Sequence, residues 1–361
     1  MATRLGLHDT HERLGARFGE ADGHLVPLHY GDARGEYGAV REGAGVIDRS
    51  HRGTIQATGR DRAAFLNGML SNDIKALAPW QGCSAAFLDA HGKIVSLLTV
   101  HCLADRLLLE TDHSLIQTTL ATLDRFLFSE RVELEDGSGR EGLLTVAGPA
   151  ARAAVEKALE ATVPDLPLWH HALVSVDGLD VRVVRGEGTG EEEYDLWVAT
   201  GGLPHLWQRL AAAGAQPVGR EAWNILRVEA GVVWHGVDVN ASTLLLEAPL
   251  GQTYSVTKGC YIGQEVVARI TYRGHVNRRI VGFDLSDARI PAPGDRVVVE
   301  GHEVGRITSA VVSPALGRGL ALGFLRREHR EPGTAVEVVG AAGALGARVA
   351  DLPFYRRAEP S

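Results

Sequence analysis

The chain has 361 residues, 45% of them hydrophobic and 23% charged, with a formal net charge of −8. That composition can bury a sizeable core and, at roughly 100–200 residues per domain, predicts two or three domains. The acidic balance argues against a general nucleic-acid binder, because duplex-binding domains carry a basic excess on one face. No run approaches the ~18 continuous apolar residues of a membrane helix. The charged start, Met1 to Gly15, lacks the roughly 7–15 apolar residues of a signal peptide, so a soluble cytoplasmic protein is expected. Cys83, Cys102 and Cys260 form no CxxC pair. They are too few for a disulfide framework or a self-contained zinc or iron–sulfur site, and are expected as reduced thiols.

Along the chain, the first ~30 residues show no clear periodicity. Residues 45–53 read as a turn leading into a strand at 54–58. Asp61 is placed to cap a helix whose apolar stripe, Ala63 to Leu70, stops at Ser71-Asn72-Asp73. Strands are predicted at 83–89, 94–102 and 106–110, with Asp89 to Gly92 as a hairpin turn. A helix at 113–126, strands at 131–135 and 143–146 and an alanine-rich helix at 149–161 follow. A third set has strands at 171–176, 179–185 and 194–199, then helices at 203–213 and 219–231. Beyond Val276 short strands alternate with glycine and proline, at 279–284, 296–299, 303–309, 319–324 and 335–339, which is the punctuation of a small β-barrel.

The most concentrated chemistry lies in Lys258-Gly259-Cys260-Tyr261-Ile262-Gly263-Gln264-Glu265 and its continuation to Arg273. Lys258, two residues from Cys260, would favour a thiolate by Coulomb attraction, and Gly259 would let backbone approach a ligand. The same residues also fit a buried cysteine ahead of a helix starting at Gly263. Elsewhere, Gly186-Glu187-Gly188-Thr189-Gly190 is superficially like a dinucleotide loop but precedes a strand instead of opening a helix, so it reads as a hairpin connection. His8, His11, His170 and His171 lack a third ligand at metal-binding spacing and read as surface or packing histidines.

The Lys258–Glu265 stretch resembles the signature of the YgfZ-type folate-binding proteins of the T-protein (aminomethyltransferase-like) superfamily. The resemblance extends to the segment Phe126 to Asp136, to Gly148-Pro149-Ala150, to Arg227-Val228-Glu229-Ala230-Gly231 and to Leu352-Pro353-Phe354-Tyr355. It implies two ferredoxin-like α+β domains, at residues 1–140 (the first perhaps discontinuous) and 141–275 with the motif. A C-terminal β-barrel at 276–361 would complete a cloverleaf around a central tetrahydrofolate site. Glu229 is implied to accept the amino-pyrimidinone edge of the pterin, a charge-assisted pair of hydrogen bonds; an exposed helix-face glutamate is the alternative. Lys258, with Arg269 and Arg273, is matched to the glutamate tail, and Arg227, Tyr261 and Gln264 complete the implied site. Asn72 and Asp73 fit a capping role as well as ligand contact.

Cys260 is the implied reactive thiol, and iron–sulfur assembly proteins or client enzymes are the implied partners. In the superfamily's aminomethyltransferases an acidic pair in a strand is implied to position the reacting folate nitrogen. Here Ser96 and Leu97 stand at those positions, and leucine can neither accept a proton nor stabilise a cation. Asp89 is the nearest carboxylate in sequence. The resulting expectation is a folate-binding protein assisting iron–sulfur cluster assembly or repair. A folate-dependent aminomethyltransferase-like enzyme of one-carbon metabolism, or a folate-binding module without a cluster role, are the alternatives.

Overall fold

Alternation along the strand Ile94–Cys102 sorts its side chains between two environments. In the computed structural model, which describes residues 2–341 and 343–357, Leu98 and Val100 enter a core with Phe65, Leu66 and Ile116 from the helices Arg62–Met69 and Ile116–Asp124. Leu97, Thr99 and His101 take the opposite face. This strand lies in an antiparallel five-stranded sheet of order Gly82–Leu88, Ile94–Cys102, Leu107–Asp112, Arg52–Thr58 and Glu133–Asp136. Asp61 occupies the cap position of the helix Arg62–Met69, but its side chain makes no cap bond. Its carboxylate accepts instead from the backbone N–H of Arg131 at 2.9 Å, tying the helix to the approach of the edge strand.

The six-stranded sheet runs His171–Val176, Leu179–Gly186, Glu193–Ala199, Glu141–Ala147, Gly45–Asp48 and Gln216–Pro217. The helices Ala151–Leu159 and Leu203–Ala213 cover one face through Val155, Leu206 and Trp207. Residues 45–48, expected as part of a turn, form a fully buried strand paired with Glu141–Ala147. Glycine hid it: a Cβ on Gly45 would come within 2.5 Å of Val40 and 2.7 Å of Val218, so close packing, and not β propensity, selects the residue. A cut at 140/141 therefore does not separate the two sheets, because the chain crosses between them at Arg49-Ser50-His51.

The N-terminal stretch holds a small sheet of Thr3–Arg4, His24–His29 and Arg17–Ala21. Its hairpin turns at Asp22-Gly23, both with positive φ, a turn signal that the strands' shortness masked. At the other end a closed six-stranded barrel contains the five expected strands plus Gly343–Ala350, which pairs with Ala335–Gly340 and Arg278–Leu285. Alanine and glycine at alternate positions gave that closing strand no β-branched signature. The strand His302–Ser313 runs past its expected end through a register shift between Ile307 and Ser309, which interrupts the period-two pattern.

The Lys258–Glu265 motif docks on the five-stranded sheet and not on the six-stranded one. Gly263 has φ +80°, and a Cβ there would lie 2.6 Å from the carbonyl oxygen of Asp89 and 3.0 Å from Leu88. The glycine seats the start of the helix Gln264–Arg273 against the hairpin turn. Gly263→Ala is expected to lower stability by about 2 kcal/mol or more through the left-handed backbone and the backbone clash together, measured by urea unfolding.

Candidate functional site

The two large sheets face each other across a polar layer. From the five-stranded sheet come Arg52, Glu110 and His101; from the six-stranded sheet come Thr145, Arg182, Glu193, Asp195 and Trp197, all buried or nearly so. Arg49 donates to Asp195 and Thr145 at 3.2 Å and to Glu110 at 3.3 Å. Arg52 donates to Glu110 at 2.6 Å and also to Asp112. Burial pushes the Glu110 carboxyl up, but Arg52 and Arg49 outweigh it and hold it down to about 2. Burial raises Asp195, with Arg49 opposing. Glu193, fully enclosed beside Asp195, is pushed up to about 7 by burial and then by that neighbour.

At one end this layer opens into a cavity of about 410 Å³. Ser84, Leu97 and Thr99 form one wall and Arg52 projects into it; Trp169 and Glu187 stand on the side of the six-stranded sheet, with Val232 and residues 249–253 along the rim. Ser96 points the other way, fully buried and accepting from Thr119 Oγ1 at 3.2 Å. Leu97 alone of the Ser96–Leu97 pair therefore reaches the cavity. Trp169 has φ +64°, uncommon for a bulky residue, and its indole N–H is buried without a partner. A larger depression, about 920 Å³ beside the helix Ala33–Glu42, is lined by none of the motif residues.

Most of the residues expected at a folate site are instead joints of the fold. Glu229 is 0% exposed; its carboxylate accepts from Tyr37 at 2.9 Å to both oxygens, from Arg41 and from Ser313. That set joins two helices to the barrel and leaves no free edge for a pterin, and Glu229 does not line the cavity. Arg227, 1% exposed, donates to Asp238, Asn224, Val232 O and Ser309 Oγ. Lys258 Nζ donates to the carbonyl oxygens of Asn67, Leu70 and Asn72 at 2.5 to 2.9 Å. It is a buried cation at the C-terminal end of the helix Arg62–Met69, where the helix dipole favours positive charge.

Burial lowers Lys258 to about 8, with the Asp73 carboxylate opposing, and burial pushes the neighbouring Cys83 thiol up to about 12. Lys258 is thus committed to carbonyls and not directed at Cys260, which is exposed. Tyr261 is buried with its hydroxyl unpartnered; Gln264 accepts from the Tyr261 N–H at 3.1 Å; Arg269 is exposed on the helix surface. Asn72 donates to Ser84 O and Gln252 O at 2.8 and 3.0 Å, holding the cavity rim. Asp89 accepts through one carboxylate oxygen from His91 N and Lys93 N and is not among the residues lining the cavity.

Sequence reasoning missed Arg52, Trp169 and Glu187. The signal for Glu187 was the glycine-rich run, which does form the connection between Leu179–Gly186 and Glu193–Ala199. Its glycines leave room for the Glu193 carboxylate, which a Cβ on Gly186 or Gly188 would approach within 3.3 and 3.2 Å.

A fold with two facing sheets, a closing barrel and a cavity at their seam matches a known class. The GCVT N-terminal domain model matches residues 7–258, and the glycine cleavage T-protein C-terminal barrel domain matches residues 278–356. The chain belongs to this T-protein family. It is 32% identical to an aminomethyltransferase from Streptomyces avermitilis, covering 97% of each chain, and 31% identical to one from Rubrobacter xylanophilus, covering 98% of this chain and 94% of that one. The crystal structure of the glycine cleavage system aminomethyltransferase T from Bartonella henselae superposes with a TM-score of 0.90 at 25% identity, over 98% of both chains. These relatives favour the one-carbon side of the superfamily over the iron–sulfur role expected from the Lys258–Glu265 motif. Among the described residues no helix is long and apolar enough to cross a membrane.

The raised Glu193 makes a pH prediction. The folded state holds a proton that the unfolded chain releases above its ordinary value of 4.5, so this contribution is complete below that value and is lost as pH rises through about 7. Glu193→Gln, which cannot ionise, is expected to gain on the order of 2 kcal/mol relative to the parent between the acid limit and about pH 8, measured by urea unfolding across that range.

Proposed function

We propose that the chain binds a reduced folate in the cavity of about 410 Å³ and serves one-carbon metabolism as an aminomethyltransferase-like protein. The observation that carries this reading is the cavity itself, at the seam of the two sheets that the family's N-terminal domain comprises. Its volume falls in the range of about 300–1,000 Å³ usual for small-molecule sites. Its donor set suits a tetrahydrofolate: the Trp169 indole offers a flat face, Leu97, Val232 and Leu250 offer apolar contact, Glu187 offers a hydrogen-bond acceptor, and Arg52 offers a cation. Membership of the T-protein family and the aminomethyltransferase relatives support the same ligand.

The apolar Leu97 side chain in the wall leaves any transfer step without a proton acceptor from that strand. Titration with a reduced folate should quench the tryptophan fluorescence saturably through Trp169. Leu97→Trp, which fills the cavity, should weaken binding at least about tenfold while leaving the circular dichroism unchanged. In an assay of methylene-tetrahydrofolate formation from an aminomethyl donor, Leu97→Asp should be faster than the parent by about tenfold or more, given that such groups typically contribute on the order of 10²–10⁴. Absence of saturable binding by the parent would remove the proposal.

The second reading, assistance to iron–sulfur assembly, is supported by the exposed Cys260 thiol on the motif loop. A Cys260→Ser chain that restores an iron–sulfur enzyme as fully as the parent would eliminate it.

A further inference from the structure

We propose that the outer wall of the barrel carries a second binding site, a pocket in which Arg278, Arg306 and Arg326 hold the phosphate group of a small molecule. This pocket shares no lining residue with the cavity assigned to folate and does not depend on that assignment. It has a volume of about 250 Å³ and opens across three neighbouring strands, Arg278–Leu285, Arg318–Arg326 and His302–Ser313. Phe324 and Arg326 stand two apart on the middle strand and so share a face. Across from Phe324 lies Arg306, and across from Arg326 lies Arg278. One strand further round, Arg296 stands opposite Arg306. Like charges directly opposite each other destabilise a sheet, and this face carries two such pairs in a chain whose net charge is −8.

The acids nearby answer only part of this charge. Glu247 accepts from Arg278 Nε at 3.1 Å and from its Nη2 at 3.3 Å, and the same guanidinium lies over the Phe324 ring, 4.4 Å from its centroid. Arg278 is thereby held on two sides, with Nη1 left to donate elsewhere. Glu303, at the edge of the pocket, pairs with Arg306 Nη2 at 2.8 Å. Arg326 lines the pocket and is exposed, as is Arg296 beyond it; among the described residues no hydrogen bond or ion pair involves the side chain of either. Four arginines thus meet two carboxylates. A phosphate monoester carries about −1.5 to −2 charges at pH 7, which matches the two arginines left without an acid. The guanidinium fork fits phosphate oxygens, and charge-assisted bonds of this kind are the stronger ones. Several oxygens on one phosphorus can accept from forks on different strands at once. The volume lies just below the range of about 300–1,000 Å³ usual for small-molecule sites, which suits a phosphate bearing a small organic group.

The test is calorimetric titration of the whole protein, in phosphate-free buffer of low ionic strength, with ribose 5-phosphate, inorganic phosphate and ribose. Ribose 5-phosphate should bind saturably and ribose should not. Tighter binding of the ester than of inorganic phosphate assigns the site to a phosphorylated small molecule, and equal binding assigns it to free phosphate. Arg326→Gln should weaken both phosphates about tenfold or more. Arg327→Gln, at the next residue, exposed but outside the pocket lining, should bind as the parent does. Relieved of a facing charge, Arg326→Gln should melt no lower than the parent without phosphate, and should lack the rise in thermal midpoint that ribose 5-phosphate gives the parent. The assignment is overturned if the parent binds neither phosphate, or if ribose binds as well as its phosphate. It is also overturned if Arg327→Gln loses as much affinity as Arg326→Gln, which would mark diffuse charge, or if Arg326→Gln melts below the parent in phosphate-free buffer, which would mark a structural arginine.

Discussion

Arg49 and Arg52 hold the two principal sheets face to face, and the position of everything else at the seam follows from them. Arg49 opens, and Arg52 directly follows, the three-residue crossing by which the chain leaves the strand Gly45–Asp48 of one sheet and enters Arg52–Thr58 of the other. Each reaches acids on strands far away in sequence: Glu110 and Asp112 in the five-stranded sheet, Asp195 in the six-stranded one. Removing several charges from water costs several kcal/mol per ion, and the arrangement offsets that cost because each of these charges meets a partner of opposite sign. Since Glu110 bonds both arginines, it is the shared pin of the clasp. Arg52 also projects into the cavity, so the groups that fix the sheets also set the electrostatics of one cavity wall.

A second pair of clasps attaches the barrel. The Glu229 carboxylate gathers Tyr37 and Arg41 from one helix and Ser313 from a barrel strand, while Arg227, two residues earlier, gathers Asp238 and Ser309. Arg41 also stacks on Tyr355, 3.9 Å from the ring, and pairs with Glu191. Lys258 plays the same part at the five-stranded sheet by closing a helix end. These are the residues whose charge made them conspicuous in the sequence. Perturbed or buried charge marks structural ion networks as well as functional sites, and here the network accounts for most of it. Among the described residues that line the cavity, Glu187 is the carboxylate, and it is exposed.

The order and kind of elements were legible because each rests on local chemistry. Period-two alternation at residues 94–102, the apolar stripe from Ala63 to Leu70 and the glycine-proline punctuation after Val276 all correspond to observed elements, including the closed barrel. Elements whose identity depends on distant contacts were hidden. Gly45–Asp48 is a strand because Val40 and Val218 leave no room for a side chain at Gly45. Gly343–Ala350 is a strand because the barrel needs a sixth member to pair its two open edges. The strand sets Ser96 and Leu97 on opposite faces: one is buried against Thr119, and the other lines the cavity.

The sequence by itself determined the family resemblance, the α+β blocks followed by a barrel, and the absence of a carboxylate at Leu97, because these reside in residue identity and short-range period. Only the tertiary structure decided which charged residues face the open cavity and which face one another. Glu229 and Lys258 lie within 30 residues of chain, yet their side-chain partners come from residues 37–72 and from the barrel, while Arg227 joins the nearby Asn224, Val232 and Asp238 to Ser309 of the barrel. A carboxylate or ammonium reads the same in sequence whether its partner is a ligand or a carbonyl. Which of the two it meets depends on long-range packing, and that packing leaves Glu187 facing the open cavity and Glu229 sealed.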